Sequence, residues 1–149
     1  MRVFNRKYNR DYTEIESYEA GIALLGSEVK SAKAGHIKLE DSFVKLIGSE
    51  AFLINAEIQI YQFTRPQGYD PRRTRKLLMH KKELTRLRTK IAAGGNLTLA
   101  PISCYNKGPL LKVQVALSKG RKDLEKKKLV KERDIKTNQE REVKDYMRT

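Results

Sequence analysis

The feature that most restricts how this chain can fold is a series of short apolar runs separated by turn residues. In one of these runs Leu111, Val113 and Val115 alternate with Lys112 and Gln114. A period of two places these side chains on opposite faces of a β-strand, whereas an amphipathic helix repeats every 3.6 residues. The pattern therefore predicts a mainly β fold.

The turn residues between the runs predict how the strands are connected. Residues 43–47 and 51–54 flank a glycine-containing turn, which predicts one hairpin. Residues 96–105 and 110–117 flank the sequence NKGP, which predicts a second hairpin. These four runs supply most of the expected sheet.

Two further regions predict strands less directly. Residues 12–15 and 22–25 are apolar runs separated by the turn-like sequence SYEAG, so we expect two short strands there. Ala56, Ile58 and Ile60 alternate with polar residues and should line one face of another strand.

Two segments predict short helices. The first covers residues 27–34 and stops at Gly35, where a glycine commonly ends a helix. The second begins after His80, which has Glu83 three residues on as in a capping box, and stops at Gly94. Its expected inward residues are Leu84, Leu87 and Ile91. About six strands and two short helices predict an OB-fold-like closed β-barrel, as one domain over residues 1–118.

The composition changes after this domain. Residues 119–149 contain 12 Lys or Arg and 7 Asp or Glu, with few apolar residues and no sustained periodicity. So polar a segment cannot bury enough apolar surface to offset its ordering entropy. We expect a basic C-terminal tail that is disordered when free and helical on a partner.

The charge of the chain restricts its partner. The net charge is +14, and such an excess usually reflects an anionic partner, of which nucleic acid is favoured. A membrane surface is the weaker alternative, because no run of about 18 apolar residues occurs and the basic stretches lack the Trp and Phe that anchor an interfacial helix. The first residues contain no apolar stretch, so we expect no secretory signal there. The single Cys104 excludes an internal disulfide and fits a reducing cytoplasm.

The stretch DPRRTRKLLMH, residues 70–80, places four cations directly before an apolar run. Residues 72–90 hold nine Lys or Arg and one acid, whereas a solubilising surface normally mixes both signs. We interpret Leu77 and Leu78 as fixing a strand edge while Arg72, Arg75 and Lys76 face phosphate.

Reactive groups for an enzyme are scarce in the sequence. His36 and His80 are the two histidines, and no second thiol accompanies Cys104, so a zinc site has too few ligands. No glycine-rich nucleotide loop is visible. We therefore predict no catalytic residue, no metal and no cofactor.

Several motifs, in order, resemble those of the SsrA-binding proteins, also called small protein B or tmRNA-binding proteins. These motifs are Asn5-Arg6-Lys7, Tyr18–Ile22, Gly26–Ser31, Asp41-Ser42, Asp70–Arg72 and Arg75–His80. The resemblance extends from about Asn5 to about Asp134. It implies an OB-like barrel that binds the tRNA-like domain of tmRNA and carries it, with elongation factor Tu, to stalled ribosomes for trans-translation. The resemblance also implies that the tail enters the empty mRNA channel of the small subunit, beside ribosomal RNA.

The resemblance implies a set of functional residues. Those for tmRNA, together with neighbouring cations, are Asn5, Arg6, Lys7, Glu19, Glu28, Lys30, Lys33, His36, Lys38, Arg72, Arg75, Lys76 and Leu78. Those for the ribosome are Gly120, Arg121, Lys122, Leu124, Glu125, Lys126, Lys127, Lys131 and Arg133. Leu124 departs from the family pattern, which has an aromatic residue or His there. A constitutive ribosomal protein and a small RNA-processing enzyme remain as alternatives.

Overall fold

The computed structural model describes residues 1–60 and 68–121. The predictions for the tail beyond Arg121 lie outside the described residues. They concern its disorder and the roles of Lys122, Leu124, Glu125, Lys126, Lys127, Lys131 and Arg133.

The described residues contain nine strands and three helices. The strands are β1 (Arg2–Phe4), β2 (Tyr12–Ile22), β3 (Ile37–Lys38), β4 (Phe43–Ile47), β5 (Glu50–Ile54), β6 (Glu57–Ile58), β7 (Arg75–Leu78), β8 (Leu97–Lys107) and β9 (Leu110–Gly120). The helices are α1 (Tyr8–Asp11), α2 (Gly26–Lys33) and α3 (Lys81–Ala92).

Six of the strands pair in a closed ring. Their order is β8, β4, β5, β7, β2 and β9, and β9 pairs back with β8. Every pairing is antiparallel, β1 adds to the side of β8, and β3 and β6 form a separate two-stranded sheet. The prediction of a mainly β fold is confirmed, although the described residues contain nine strands and not about six, and six of the nine form the ring.

The core lies on the inner face of the ring and is built by the alternating apolar residues. Val113, Val115 and Leu117 on β9 are at most 1% exposed, and Leu99 and Leu53 face them from other strands. Leu87 on α3 is fully buried in the same cluster. Burying each such side chain contributes about 1.5–3 kcal/mol, so the period-two runs determine which face of each strand points inward.

Both predicted hairpins are confirmed. β4 and β5 pair from Phe43 with Ile54 to Ile47 with Glu50, and β8 and β9 pair over almost their whole length. The expected strand at Ala56–Ile60 is much shorter than predicted, because only Glu57 and Ile58 pair and Ile60 is exposed.

The prediction of a turn at SYEAG is wrong. β2 continues through this sequence from Tyr12 to Ile22 and pairs with β9 and β7. Gly21 lies directly opposite Leu78, and a Cβ at Gly21 would be 3.2 Å from the Cβ of Leu78. The glycine therefore permits a close approach between strands.

The two predicted helices are present as α2 and α3, with bounds within two residues of those expected. Glu83 accepts a hydrogen bond from the backbone N–H of His80 at 3.1 Å, which supports a structural role for this terminus. The short helix α1 was not predicted. Cys104 is buried in the core, and burial raises the pKa of its thiol to about 11.

The end of the ring lies slightly beyond the predicted domain boundary. Lys119 and Gly120, which the sequence prediction assigns to the tail, belong to β9, and Gly120 pairs with Tyr12. Arg121 donates from its backbone N–H to the carbonyl of Asp11 at 2.9 Å and from Nε to the carbonyl of Asn9 at 2.7 Å.

Candidate RNA-binding surface

The predicted RNA-binding residues fall into three groups: buried residues, residues that line two surface grooves, and residues at the surface outside these grooves. Glu28 and Arg75 belong to the first group, at 1% and 0% exposed. Arg75 donates to Oε2 of Glu28 from Nε at 2.8 Å and from Nη2 at 2.6 Å. It also donates from Nη1 to the carbonyl of Ala56 at 2.8 Å.

The carboxylate of Glu28 is fully occupied by neighbouring donors. It accepts hydrogen bonds from Arg73, from the backbone N–H of Leu25 at 2.9 Å and from the hydroxyl of Tyr69 at 3.1 Å, in addition to Arg75. Burial acts to raise the pKa of Glu28, but the bonds from Arg73, Leu25 and Arg75 together hold it below its ordinary value of 4.5. The cluster is a buried ionic network that connects α2 to β7.

This network indicates a structural role for Arg75 and Glu28, which the sequence analysis assigned to the tmRNA-binding set. A guanidinium with no exposed surface cannot reach a phosphate, and a carboxylate with every acceptor position used has none to offer a base. Both residues position the segment that carries Arg72 and Lys76 instead.

Asn5 is also a buried residue, at 8% exposed. Its side-chain amide donates to the carbonyl of Pro101 at 3.0 Å, and its Oδ1 accepts from the backbone N–H of Lys7 at 3.1 Å. These bonds fasten the chain after β1 to β8 and indicate a positioning role for Asn5, whose part in tmRNA binding stays a prediction.

Three predicted residues, Glu19, Lys76 and Leu78, come together around one groove. The groove, of about 550 Å³, lies between the ends of β2 and β7 and the start of α3. We call it the Leu78 groove; it is lined by Glu19, Gly21, Ser49, Glu50, Lys76, Leu77, Leu78, Met79, His80, Lys81, Leu84 and Lys112. Leu78 is 55% exposed in this groove, because the residues of β7 alternate between buried (Arg75, Leu77) and exposed.

Glu19 is held in place on the outer face of β2. It accepts hydrogen bonds from the hydroxyl of Tyr105 and from Nζ of Lys107, the latter at 3.0 Å. These two bonds hold the pKa of Glu19 below 4.5, so its carboxylate is ionised at neutral pH. Burial, followed by the bond to Glu19, raises the pKa of Tyr105 to about 12, so the hydroxyl remains a donor.

A second groove, of about 620 Å³, contains two more of the predicted residues, Arg6 and Lys38. We call it the Phe4 groove; its lining residues are Arg2, Val3, Phe4, Arg6, Gly35, Ile37, Lys38 and Glu40. Lys38 is 3.9 Å from Glu57, an ion pair at the surface.

The remaining predicted residues are exposed or partly exposed and lie outside these two grooves. Arg72 donates to the side chain of Asn55 at 3.2 Å, and Lys7 is paired with Asp41 at 3.2 Å. Lys30 and Lys33 are exposed on α2, and His36 follows that helix. The structure does not bring these five residues into a single cluster with Leu78.

Sequence reasoning missed several residues that these grooves contain. Lys112 and Lys81 line the Leu78 groove, Phe4 lines the second groove, and Tyr105 holds Glu19. Their proximity depends on strand register between distant segments, and no local sequence pattern reports it.

The six-stranded ring, with two cation-containing grooves and an exposed Leu78, defines a basic β-protein suited to a polyanionic partner. A family model described as "SmpB protein" matches residues 2–145. The chain belongs to this family.

Individual relatives agree with the family match. The chain is 45% identical over 140 residues to the SsrA-binding protein of Sulfurihydrogenibium sp., covering 94% of this chain and 91% of the relative. It is 44% identical to that of Persephonella marina over 132 residues, covering 89% and 86%. The SsrA-binding protein of Streptococcus pyogenes is 40% identical over 144 residues, covering 97% of this chain and 90% of the relative.

A solved structure described as "tmRNA-SmpB: a journey to the center of the bacterial ribosome" contains a similar chain. The TM-score is 0.66 at 43% identity, and the match covers 82% of this chain and 85% of that one.

Two kinds of site are absent from the described residues. Within residues 1–60 and 68–121, no three His, Cys, Asp or Glu side chains are placed to hold a metal ion. In the same part of the chain, no helix is long and apolar enough to cross a membrane.

Proposed function

We propose that this protein binds the tRNA-like domain of tmRNA and delivers it to stalled ribosomes in trans-translation. The observation that carries the proposal is the Leu78 groove, where Glu19 of β2 meets Lys76 and Leu78 of β7 although the two strands are distant in sequence. The relatives named SsrA-binding protein and the solved tmRNA-SmpB structure support this choice of RNA.

The groove combines three kinds of RNA contact. Leu78 offers an apolar surface to a base, while Lys76, Lys81 and Lys112 provide positive charge for phosphates. The ionised Glu19 accepts hydrogen bonds from a ribose 2′-hydroxyl or an exocyclic amine. A carboxylate repels phosphate, so Glu19 contributes selectivity for a particular position rather than general affinity.

The remaining predictions complete the proposal. The six-stranded ring, whose last strand β9 ends at Gly120, is an OB-like closed barrel, and the residues after β9 act as the tail in the empty mRNA channel beside small-subunit ribosomal RNA. Elongation factor Tu joins through the aminoacylated tmRNA. The protein acts in the cytoplasm as an RNA-binding factor, without an enzymatic activity or a cofactor.

The test is a binding titration of the full chain with the isolated tRNA-like domain, an ordinary tRNA and an unrelated hairpin, each at two salt concentrations. A preference for the tRNA-like domain that persists at the higher salt supports the proposal, because non-specific phosphate binding weakens steeply with salt. If the three RNAs bind alike and dissociate together, charge alone explains the binding and the ribosomal-protein alternative gains.

Variants test whether the Leu78 groove carries this preference. We expect Glu19→Ala to weaken binding to the tRNA-like domain by at least tenfold. The control is Glu14→Ala, which removes an exposed carboxylate from the same strand at a distance from the groove. Equal effects of the two variants would argue against the groove as the specific site.

A further inference from the structure

The short strand β1 presents two large side chains that the Leu78 groove does not use. Phe4 is 55% exposed, and Arg2 lies with its guanidinium carbon 5.8 Å from the centre of the Phe4 ring. The neighbouring Phe4 groove adds Arg6 and Lys38, against one acid, Glu40. An exposed ring beside several cations is the arrangement on which single-stranded nucleic acid stacks.

Strand register places the side chain of Arg2, on β1, on the same outer face of the ring as Leu78 and its groove. Leu78 pairs with Gly21, Gly21 with Lys112, Lys112 with Tyr105, and Tyr105 with Arg2. Side chains of directly paired residues point to the same face of a sheet. The row therefore runs over the curved outer surface of the ring across five adjacent strands from β7 to β1, an arc of about 19 Å at ~4.8 Å per strand.

Phe4 belongs to the next row on the same face. It pairs with Ser103, which pairs with Gln114, which pairs with Glu19. The ring of Phe4 and the carboxylate of Glu19 thus stand at the two ends of one line across four strands.

The two grooves are also joined by direct contacts. The hydroxyl of Tyr105 donates to Glu19, and the guanidinium carbon of Arg2 lies 4.4 Å from the centre of the Tyr105 ring. Tyr105 therefore contacts Glu19 through its hydroxyl and Arg2 through one face of its ring, so Arg2 covers that face. Unlike Tyr105, the ring of Phe4 is largely exposed, at 55%.

We propose that β1 extends the RNA-binding face and that Phe4 stacks on an unpaired nucleotide of the RNA bound in the Leu78 groove. Arg2 and Arg6 contact the phosphates beside that nucleotide. The identity of the RNA rests on the proposed function, whereas the stacking contact rests on β1 alone. RNA is favoured over an acidic peptide because the face offers a base-sized ring with arginines on either side in sequence.

The experiment compares three variants in binding to the tRNA-like domain. Phe4→Leu removes the ring and keeps an apolar side chain, whereas Phe4→Tyr keeps the ring. Phe43→Leu is the matched control, since Phe43 is a 39% exposed phenylalanine on β4. We expect Phe4→Leu to weaken binding about 5- to 100-fold, the range for losing one base stacked on an aromatic ring. Phe4→Tyr and Phe43→Leu should stay within about twofold of the unchanged protein.

A second readout reports stacking itself. A short single-stranded RNA carrying 2-aminopurine should lose fluorescence on binding the unchanged protein and the Phe4→Tyr variant, and much less on binding Phe4→Leu. Replacing Arg2 by Ala should reduce the salt slope of binding by about 1, while Phe4→Leu leaves that slope unchanged. The urea midpoint of each variant establishes that the ring of strands is still folded.

The outcomes separate this inference from the proposed function. If the unchanged protein prefers the tRNA-like domain but Phe4→Leu binds it equally well, the stacking contact is wrong and the proposed function stands. If the protein shows no preference among RNAs yet Phe4→Leu still abolishes quenching, the proposed function is wrong and the stacking contact stands. Weakened binding of an acidic peptide by Phe4→Leu, with RNA binding unchanged, would overturn the inference in favour of a protein partner.

Discussion

Nη2 of Arg75 lies 2.6 Å from Oε2 of Glu28, and neither side chain is exposed to solvent. Removing two charges from water costs several kcal/mol for each ion, so such a pair persists only where hydrogen bonds satisfy both groups. Here they do, because Arg75 also donates to the carbonyls of Ala56 and Pro71. The pair fixes the start of β7 against α2, and thereby the position of Lys76 and Leu78.

Replacing Glu28 by Gln should therefore destabilise the protein strongly. The amide keeps the size of the side chain but leaves the Arg75 guanidinium buried without its counter-charge, at a cost of about 3–5 kcal/mol. Urea denaturation measures this change in the free energy of unfolding. Glu57→Gln is the control, because Glu57 pairs with the exposed Lys38, and surface pairs contribute about 0–1 kcal/mol.

A double variant distinguishes the loss of a charge partner from general disruption. Glu28→Met with Arg75→Met removes both buried charges, and we expect it to be more stable than Glu28→Gln alone. A loss for Glu28→Gln below about 1 kcal/mol would show that the pair is hydrated in solution.

The sequence could not reveal this pair. Arg75 stands in a run of cations that predicts a phosphate-binding surface, and its partner lies 47 residues earlier on another element. Only tertiary structure shows that one arginine of the run points inward while Arg72 and Lys76 stay exposed. By contrast, the hairpins were predictable, because alternation and turn residues are local signals.

Leu77 and Leu78 offer a test in two adjacent residues of the same type. Leu77 is 2% exposed in the core, and Leu78 is 55% exposed beside its groove. Leu77→Ala should cost about 2–5 kcal/mol of stability, whereas Leu78→Ala should change it by no more than about 0.5 kcal/mol. Leu78→Ala should instead weaken binding to the tRNA-like domain.

Thermal unfolding and an RNA titration on the same preparations measure both effects. Unchanged RNA binding in Leu78→Ala would remove Leu78 from the proposed contact surface. A large stability loss in that variant would show that Leu78 is packed in solution rather than exposed.

Gly21 explains why the Leu78 groove was only partly predictable. Within SYEAG the glycine favours a turn by its local preference, yet in the fold it permits the close approach of Leu78 across the strands. Both interpretations follow from the missing side chain, and the choice between them depends on a strand more than 50 residues later. The resemblance to known SsrA-binding proteins led to Glu19 and Leu78, which local chemistry alone would not have selected.

Glu16 on β2 should make the docking of α3 depend on pH. It accepts hydrogen bonds from Lys90 and, at 3.1 Å, from Arg86, both on α3, and from the hydroxyl of Tyr18 at 2.5 Å. The bonds from Lys90 and Tyr18 lower the pKa of Glu16 from 4.5 to about 2. Because the folded-state pKa is the lower one, the stabilisation is complete above pH 4.5 and is lost as the pH falls towards 2.

The measurement is the unfolding temperature of the unchanged protein and of Glu16→Gln between pH 2 and pH 7. The difference between them should be largest above pH 4.5 and should shrink towards pH 2. Lys90→Gln should also reduce this pH dependence, because it removes the ammonium that lowers the pKa of Glu16. A difference that stays constant with pH would show that the carboxylate acts by packing and not by charge.

Arg121 should control the ribosome step and leave tmRNA binding unchanged, if the residues after β9 act as the proposed ribosome-binding tail. Its Nε donates to the carbonyl of Asn9 and its backbone N–H to that of Asp11, so α1 holds the last residue that the structure describes at this end. Arg121→Ala removes the side-chain bond and keeps the backbone one, so stability should change by about 1 kcal/mol or less. The chain would then leave the ring with less directional restraint.

We expect Arg121→Ala to bind the tRNA-like domain as the unchanged protein does and to associate several-fold more weakly with ribosomes stalled on a message that lacks a stop codon. Arg88→Ala, which removes an exposed arginine from α3, controls for the loss of one positive charge. Equal ribosome binding by the two variants would mean that the bond to Asn9 does not orient the tail. A loss of tmRNA binding in Arg121→Ala would instead place this residue on the RNA-binding face. That face would then extend from the Leu78 and Phe4 grooves to α1.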